Sequence, residues 1–364
     1  MTAESIEQAQ RIALSTALAA LDLEDVGHAT IRVEGPEGVG ELGASAADVF
    51  EGESIAMPHG RVFGGQVPAQ ALVAAGRTVL PEMPHRMPHS LHAYFMRPGD
   101  SSLPIRFAVE RMRDGRSFST RRVHALQHGR PILSMTASFR DPSDGLDHHL
   151  AMPEVPYPED LESVADKYAG IDHPRAQYIA SRPVDHRYVD GDIMLVPAPE
   201  RDGHQRVWFR TVAQLPHDQL TRCAVPAFAS DYTPIDTMLR AHGLTWAQRG
   251  LTAATIDHTI WFHRPVDPGP WLLYDRESPS TRSGRGLMIG KIFDEDGALV
   301  ATIAREAMIR IKQRDADDSA TGSSSGESRG LTPRRLRHRY AGPTGGLGRA
   351  RPDQPTVSGL PSAP

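Results

Sequence analysis

Chemistry in a folded chain is sought first at polar side chains placed where a packed element should be apolar. Asp231 is one of these. It lies within AVPAFASDYTPIDTML, the most hydrophobic helical stretch of the second half. A buried carboxylate without partners is costly, so Asp231 must be hydrogen-bonded or next to water. Two readings are open: a carboxylate that serves a reaction, or a cap for a helix restarting at Tyr232 to Pro234. Thr255 and Asp257 come next, in ATIDHTIWFHRP. This run has strand composition. Strict alternation puts Thr255, Asp257, Thr259, Trp261 and His263 on one face and Ile256, His258, Ile260 and Phe262 on the other. A polar cluster at the start of a strand, beside a helix that carries an Asp, can hold a nucleophilic water. The competing reading makes Thr255 an ordinary β-former and Asp257 a strand end. Arg305 and Glu306 complete the set, because they place charge in a final strand that should be central.

Other signals are weaker. His85, His89 and His92 lie close together without a firm metal geometry, and surface histidines are the simpler reading. VFGGQ matches neither a dinucleotide fingerprint nor a Walker loop, no GxSxG occurs around a serine that could serve as a hydrolase elbow, and HExxH is absent. Cys223 reads as a core thiol.

The elements that must position Asp231, Thr255 and Arg305 follow a simple order. A first helix is expected over about Glu7 to Leu21, then short strands at Ala29 to Val33 and Gly40 to Leu42. A helix over Gln66 to Leu80 opens at Gly64 and Gly65, with Pro68 in its first turn. It carries Ala69, Ala71, Ala74 and Ala75, small enough for a strand layer to approach closely. Four strands follow: SLHAYFMRP, PIRFAVERMRD, SFSTRRVHALQHG and RPILSMTASFR. Residues Asp141 to Pro183 hold many Pro, Asp, Glu and His and read as an interdomain linker, with helix in LESVADKYAG. Strands at Val184 to Tyr188 and Gln205 to Thr211 precede a second buried helix, Asp218 to Arg240, which Pro226 and Pro234 kink or divide. ATIDHTIWFHRP and three more strands close the pattern.

That pattern repeats. Arg97, Pro98 and Asp100 precede Arg264, Pro265 and Asp267 by 167 residues, Glu110 precedes Glu277 by the same interval, and Gly129 precedes Gly297 by 168. Two copies of one helix-plus-sheet unit are implied, and pairing them covers edges that either copy alone would expose. The last strand of the first copy holds TASF, without charges, so the chemistry is expected in the second copy or in a composite site using it. From about Gln313 the chain turns Ser/Gly-rich and charged, and a disordered tail is expected over residues 313–364. Its LTPRRLRHRY cluster is either a contact for an anionic partner or a solvated run.

The net charge of −5 gives no case for a nucleic-acid binder. A single cysteine excludes a disulfide framework within the chain and fits a reducing compartment, read as cytoplasmic. No apolar run is long enough to span a membrane, and none is expected to insert stably.

HGRVFGGQVPAQAL, HSLHAYFMRPGD and VERMRDGRSFSTRRVHALQHGRPILSMTASF, with ATIDHTIWFHRP and its continuation through ALVAT, resemble the type II (TesB-like) acyl-CoA thioesterases. The resemblance covers roughly Leu21 to Ile311. It implies an α+β double hotdog: two fused repeats, each a long helix wrapped by a curved antiparallel sheet. The implied boundaries are 1–140 for the first hotdog with its leading helix, 141–183 for the linker and 184–312 for the second hotdog. It also implies hydrolysis of acyl-CoA to free acid and coenzyme A by an activated water, with no cofactor, since coenzyme A belongs to substrate and product. Metal and covalent intermediate are not needed. The family's Asp, Thr/Ser and Gln carry over to Asp231, Thr255 and Arg305, and Arg305 departs from the Gln. Arg donates only and is charged. It can pair with Asp231 and lower its basicity, or stabilise a developing oxyanion. The departure also motivates an alternative, a catalytically weakened acyl-CoA-binding protein. Arg276, Arg282 and Arg285 are candidates for the nucleotide portion, and a homo-oligomer, dimer or higher, is expected.

Overall fold

In the first half, a helix and two strands lead into a second, buried helix. The computed structural model describes residues 3–34 and 41–312; the tail expected from Gln313 onward lies outside them, as does Gly40. Helix α1 (Ala3–Leu21) leads into β1 (Glu24–Glu34) and β2 (Glu41–Gly52). Both strands are longer than the short ones expected there. Helix α2 (Gln66–Arg77) starts directly after Gly65 and is buried from Gln66 through Gly76. Strands β3 (Met87–Phe95), β4 (Ile105–Asp114), β5 (Phe118–Gln127) and β6 (Arg130–Arg140) follow as the four expected.

The segment read as a linker is structured in its second part. Residues 141–157 form no regular element, but α3 (Val164–Ala169) and α4 (Pro174–Ala180) follow. Ser163 caps α3 by accepting from the Asp166 N–H. Val164, Tyr168, Ala176, Ile179 and Ala180 all join the main core. Their spacing is too short for a clear period, so tertiary packing rather than amphipathic repetition holds these two helices.

The second half runs β7 (Val184–Tyr188), β8 (His204–Thr211), α5 (Gln219–Ala229), a 3₁₀ turn at Ser230–Tyr232, then α6 (Asp236–Ala241). The one helix expected over Asp218 to Arg240 is thus two. Asp218 caps α5 through the Leu220 and Thr221 N–H groups. Pro226 is accommodated inside α5, whereas Pro234 falls in the gap before α6, where a missing N–H and a clash with the preceding turn end the helix. Strands β9 (Leu251–Thr255), β10 (Asp257–Phe262), β11 (Leu272–Arg282), β12 (Arg285–Asp294) and β13 (Leu299–Ile311) complete the fold.

All the described strands join one antiparallel sheet, ordered β1-β2-β4-β5-β6-β3-β10-β13-β12-β11-β8-β7, with β9 also on β13. Read outward from its centre, each half presents the same order of equivalent strands. The centre is β3 against β10, where His92 faces Thr259, residues 167 apart. Tyr94 faces Asp257 and Ser90 faces Trp261, and the same interval exchanges these two pairs. A pseudo-two-fold axis therefore passes through His92 and Thr259. The repeated arginines match as well: Arg97 donates to Pro131 O at 2.8 Å and Arg264 to Leu299 O at 3.0 Å.

The two buried helices cross beneath this junction. A Cβ on Gly76 would stand 2.5 Å from Leu220, and one on Gly65 would stand 2.2 Å from the Phe228 carbonyl oxygen. Glycine at both ends of α2 is what lets α2 and α5 approach so closely.

Candidate active site

The end of α5 delivers Asp231 to the boundary between the two halves. Its side chain does not cap α6, whose first turn has no side-chain cap. Instead Oδ1 accepts from Arg305 Nη1 at 2.6 Å and from Thr255 Oγ1 at 3.4 Å. The three residues singled out in the sequence therefore meet at one carboxylate.

Thr255 reaches Asp231 by a route that strict alternation misses. Thr255 pairs with Ala307, but Thr259 pairs with Ala304. Five residues on one strand thus face four on the other, and the extra residue makes a bulge at Ile256. A one-residue slip moves every later side chain to the opposite face. Thr255 consequently shares the inner face with His258, Ile260 and Phe262, not with Thr259, Trp261 and His263. Asp257, released from that face, accepts from the Glu306 N–H at 2.9 Å and pins the bulge.

Arg305 is fully buried, and its partners are all on the α5 end. Nη1 also donates to Ser230 O at 3.2 Å, and Nη2 to Ser230 Oγ at 3.3 Å. Ser230 Oγ in turn meets His258 Nε2 at 3.3 Å. Burial and the Arg305 cation push His258 well below the ordinary imidazole range, so it is neutral. Burial raises the Asp231 pKa above the ordinary carboxylate value, and the Arg305 cation, the Thr255 hydroxyl and the Gly65 N–H oppose that rise.

The first half closes the site with backbone. A Cβ on Gly64 would lie 2.4 Å from Asp231 Oδ2 and one on Gly65 2.9 Å from Asp231 Cβ. VFGGQ is therefore a site wall as well as a helix start, a role with no local signal. The first copy has no such site of its own. By the repeat register, Thr255 opposite Ala307 corresponds to Pro88 opposite Phe139, and Arg305 corresponds to Ala137.

Asp231 keeps 9% of its side chain exposed, and that fraction faces a cavity of about 560 Å³. Met57, His59 and Phe63 line it from the first half, Tyr232 and Trp246 from the second. Tyr178, Ile179 and Arg182, from the supposed linker, form another wall; sequence reading missed them. The remaining candidates separate. Arg276 is fully buried and donates to Thr233 and Gln205, so it is not available to a nucleotide. Arg282 and Arg285 are exposed on the β11–β12 hairpin, where Arg285 pairs with Glu306. His89 bonds Ser138 and His92 bonds Thr259. Cys223 is buried, and burial pushes its thiol up to about 12.

Two family descriptions match the chain along this architecture: the acyl-CoA thioesterase N-terminal domain over residues 53–140 and the C-terminal domain over 158–309. The chain belongs to the acyl-CoA thioesterase family. It is 41% identical over 272 residues to acyl-CoA thioesterase 2 of Haemophilus influenzae, covering 73% of this chain and 93% of that protein. It is 37% identical over 277 residues to human acyl-coenzyme A thioesterase 8, covering 73% and 85%. Among solved structures, acyl-CoA thioesterase II TesB2 of Mycobacterium marinum is similar at a TM-score of 0.62 and 37% identity, covering 81% of this chain and 98% of that one. Two hotdog repeats side by side are thus the fold of this thioesterase family member.

Proposed function

We propose that the chain hydrolyses acyl-CoA thioesters to the free acid and coenzyme A, using a water activated at Asp231. The observation that carries this reading is the meeting of Asp231, Thr255 and Arg305 at the wall of the cavity. A carboxylate offers about four acceptor positions. Arg305 and Thr255 engage two, which leaves room for a water. Thr255 fixes that water beside the carboxylate. The water oxygen attacks the thioester carbon while its proton passes to Asp231. The C–S bond then breaks, and the proton returns to the departing thiolate. Arg305 directs Nη1 and Nη2 at Asp231 and Ser230 and its Nε is sealed from the cavity without a partner, so its part is to keep the carboxylate charged and aimed; the geometry favours this over an oxyanion contact. The acyl chain lies in the apolar cavity.

One observation favours a second reading, an acyl-CoA-binding protein with weakened catalysis: the 2.6 Å ion pair occupies the carboxylate that must take the proton. Free-thiol release from a panel of acyl-CoAs separates the two. The expected result is turnover on at least one chain length, reduced about 100-fold or more in Asp231→Asn. Tight acyl-CoA binding with no release at any length would establish the second reading instead.

A homo-oligomer belongs to this proposal, since β1 and β7 end the sheet with unpaired edges among the described residues; light scattering on the full chain tests it. Among the described residues no helix is long and apolar enough to cross a membrane. Cytoplasmic action is also part of the proposal, checked by fractionating cells that produce the chain.

A further inference from the structure

The Arg305–Asp231 pair is single-ended. A guanidinium facing a carboxylate frequently pairs with it through two parallel N–H···O bonds. Here Nη1 alone reaches Asp231, at Oδ1, and the Thr255 hydroxyl donates to that same oxygen. Oδ2 takes neither and lies against Gly64. The second prong of the fork is turned away: Nη2 donates to Ser230 Oγ at 3.3 Å, and Nη1 is shared with Ser230 O at 3.2 Å. Ser230 thus supplies two of the three acceptors on Arg305. A carboxylate clamped at both oxygens would have little left for the proton of a water.

Ser230 is itself held. It ends α5, is buried, and has its Oγ 3.2 Å from Ala227 O and 3.3 Å from His258 Nε2. A hydroxyl has one proton and two lone pairs. Arg305 can only donate, so it takes one lone pair. The proton goes to Ala227 O, and the second lone pair is left for a donor. His258, kept neutral by burial and by the Arg305 cation, completes the set by donating from Nε2. Turning the hydroxyl away from Nη2 would break all three contacts.

Resting on the water-activation reading above, we propose that Ser230, braced by His258, is a positioning residue that keeps the Arg305–Asp231 pair single-ended and so leaves Asp231 Oδ2 to take the proton from water. Neither Ser230 nor His258 touches the reacting atoms; both act through Arg305. A buried cation beside the base can then hold it ionised without occupying it.

The test uses the full chain with Ser230→Ala, His258→Phe and His258→Gln, each also made in the Arg305→Gln background. Thiol release from acyl-CoA gives kcat and KM, and crystal structures give the Arg305–Asp231 contacts. In Ser230→Ala, Nη2 is expected to swing onto Asp231. Its kcat should fall about tenfold or more, with KM within about twofold of wild type, since a hydrogen bond to a charged group is lost. His258→Phe should repeat the effect more weakly, and His258→Gln, which returns an amide donor to the place of Nε2, should recover most of it. In the Arg305→Gln background, Ser230→Ala should cost less than about twofold in kcat, because no guanidinium remains to misdirect. An equal loss of kcat in both backgrounds overturns the proposal, since Ser230 would then act without Arg305. So does a loss that appears in KM alone. A pair that stays single-ended in Ser230→Ala overturns it whatever the kinetics. If Ser230→Ala does not fold, the two His258 variants carry the same comparisons. If the wild-type chain releases no thiol, the hydrolysis reading fails, and the structures alone decide this one: a pair that becomes two-ended supports the positioning role of Ser230, and one that does not refutes it.

Discussion

At the scale of single residues, the site is a contest over one carboxylate. Burial raises the Asp231 pKa, and the Arg305 cation is the main influence holding it down. If Asp231 must be ionised to take a proton from water, activity is lost as pH falls through its pKa. Removing the cation lets that pKa climb further. Arg305→Gln is therefore expected to move the acid limb of the kcat/KM profile to higher pH, while the alkaline side is much less affected. An acid limb that stays in place would mean that Asp231 is not the titrating group. The sequence already pointed to these residues, because each is polar within an otherwise apolar element. Their pairing was one of two roles open to Arg305 in the sequence, and nothing local decided between them, since Arg305 and Asp231 lie 74 residues apart.

At the scale of elements, one extra residue and two glycines shape the candidate site. The bulge at Ile256 turns Thr255 inward, and alternation from Asp257 onward predicts the wrong face because it assumes no insertion. Gly64 and Gly65 differ in what they protect. A side chain at 65 meets the Phe228 carbonyl, which is backbone and cannot yield cheaply, whereas one at 64 meets the Asp231 carboxylate. Gly65→Ala should cost about 1–3 kcal/mol of stability in denaturant unfolding. Gly64→Ala should leave stability much closer to wild type but cut thiol release sharply, because it displaces the carboxylate. Equal effects on stability and activity in both variants would contradict this division.

At the scale of the whole molecule, the two halves complete each other. The strand pair β3–β10 makes one sheet of two, α2 lies against α5, and the first half's Gly64 and Gly65 close a site whose side chains come from the second. The halves should not stand alone. Residues 1–157 produced separately would expose the β3 edge and the α5-facing side of α2, and aggregation with no cooperative unfolding transition is expected. Co-production with residues 158–364 should restore soluble protein and thiol release. A monomeric, cooperatively unfolding first half would refute this dependence.

The sequence by itself carried the duplication and most of the order of elements, because periodicity and turn chemistry are local properties, and misplaced polarity offered a set of candidates from which the family resemblance picked Asp231, Thr255 and Arg305. Only the tertiary structure decided which way Thr255 faces, that Asp231 pairs with Arg305 rather than capping a helix, and that Arg276 is sealed in the core. It also turned the supposed linker into a wall of the cavity. The physical reason is common to all of these. Each depends on what lies opposite a side chain in space, and that is set by register, bulges and close helix contact between residues far apart in the chain.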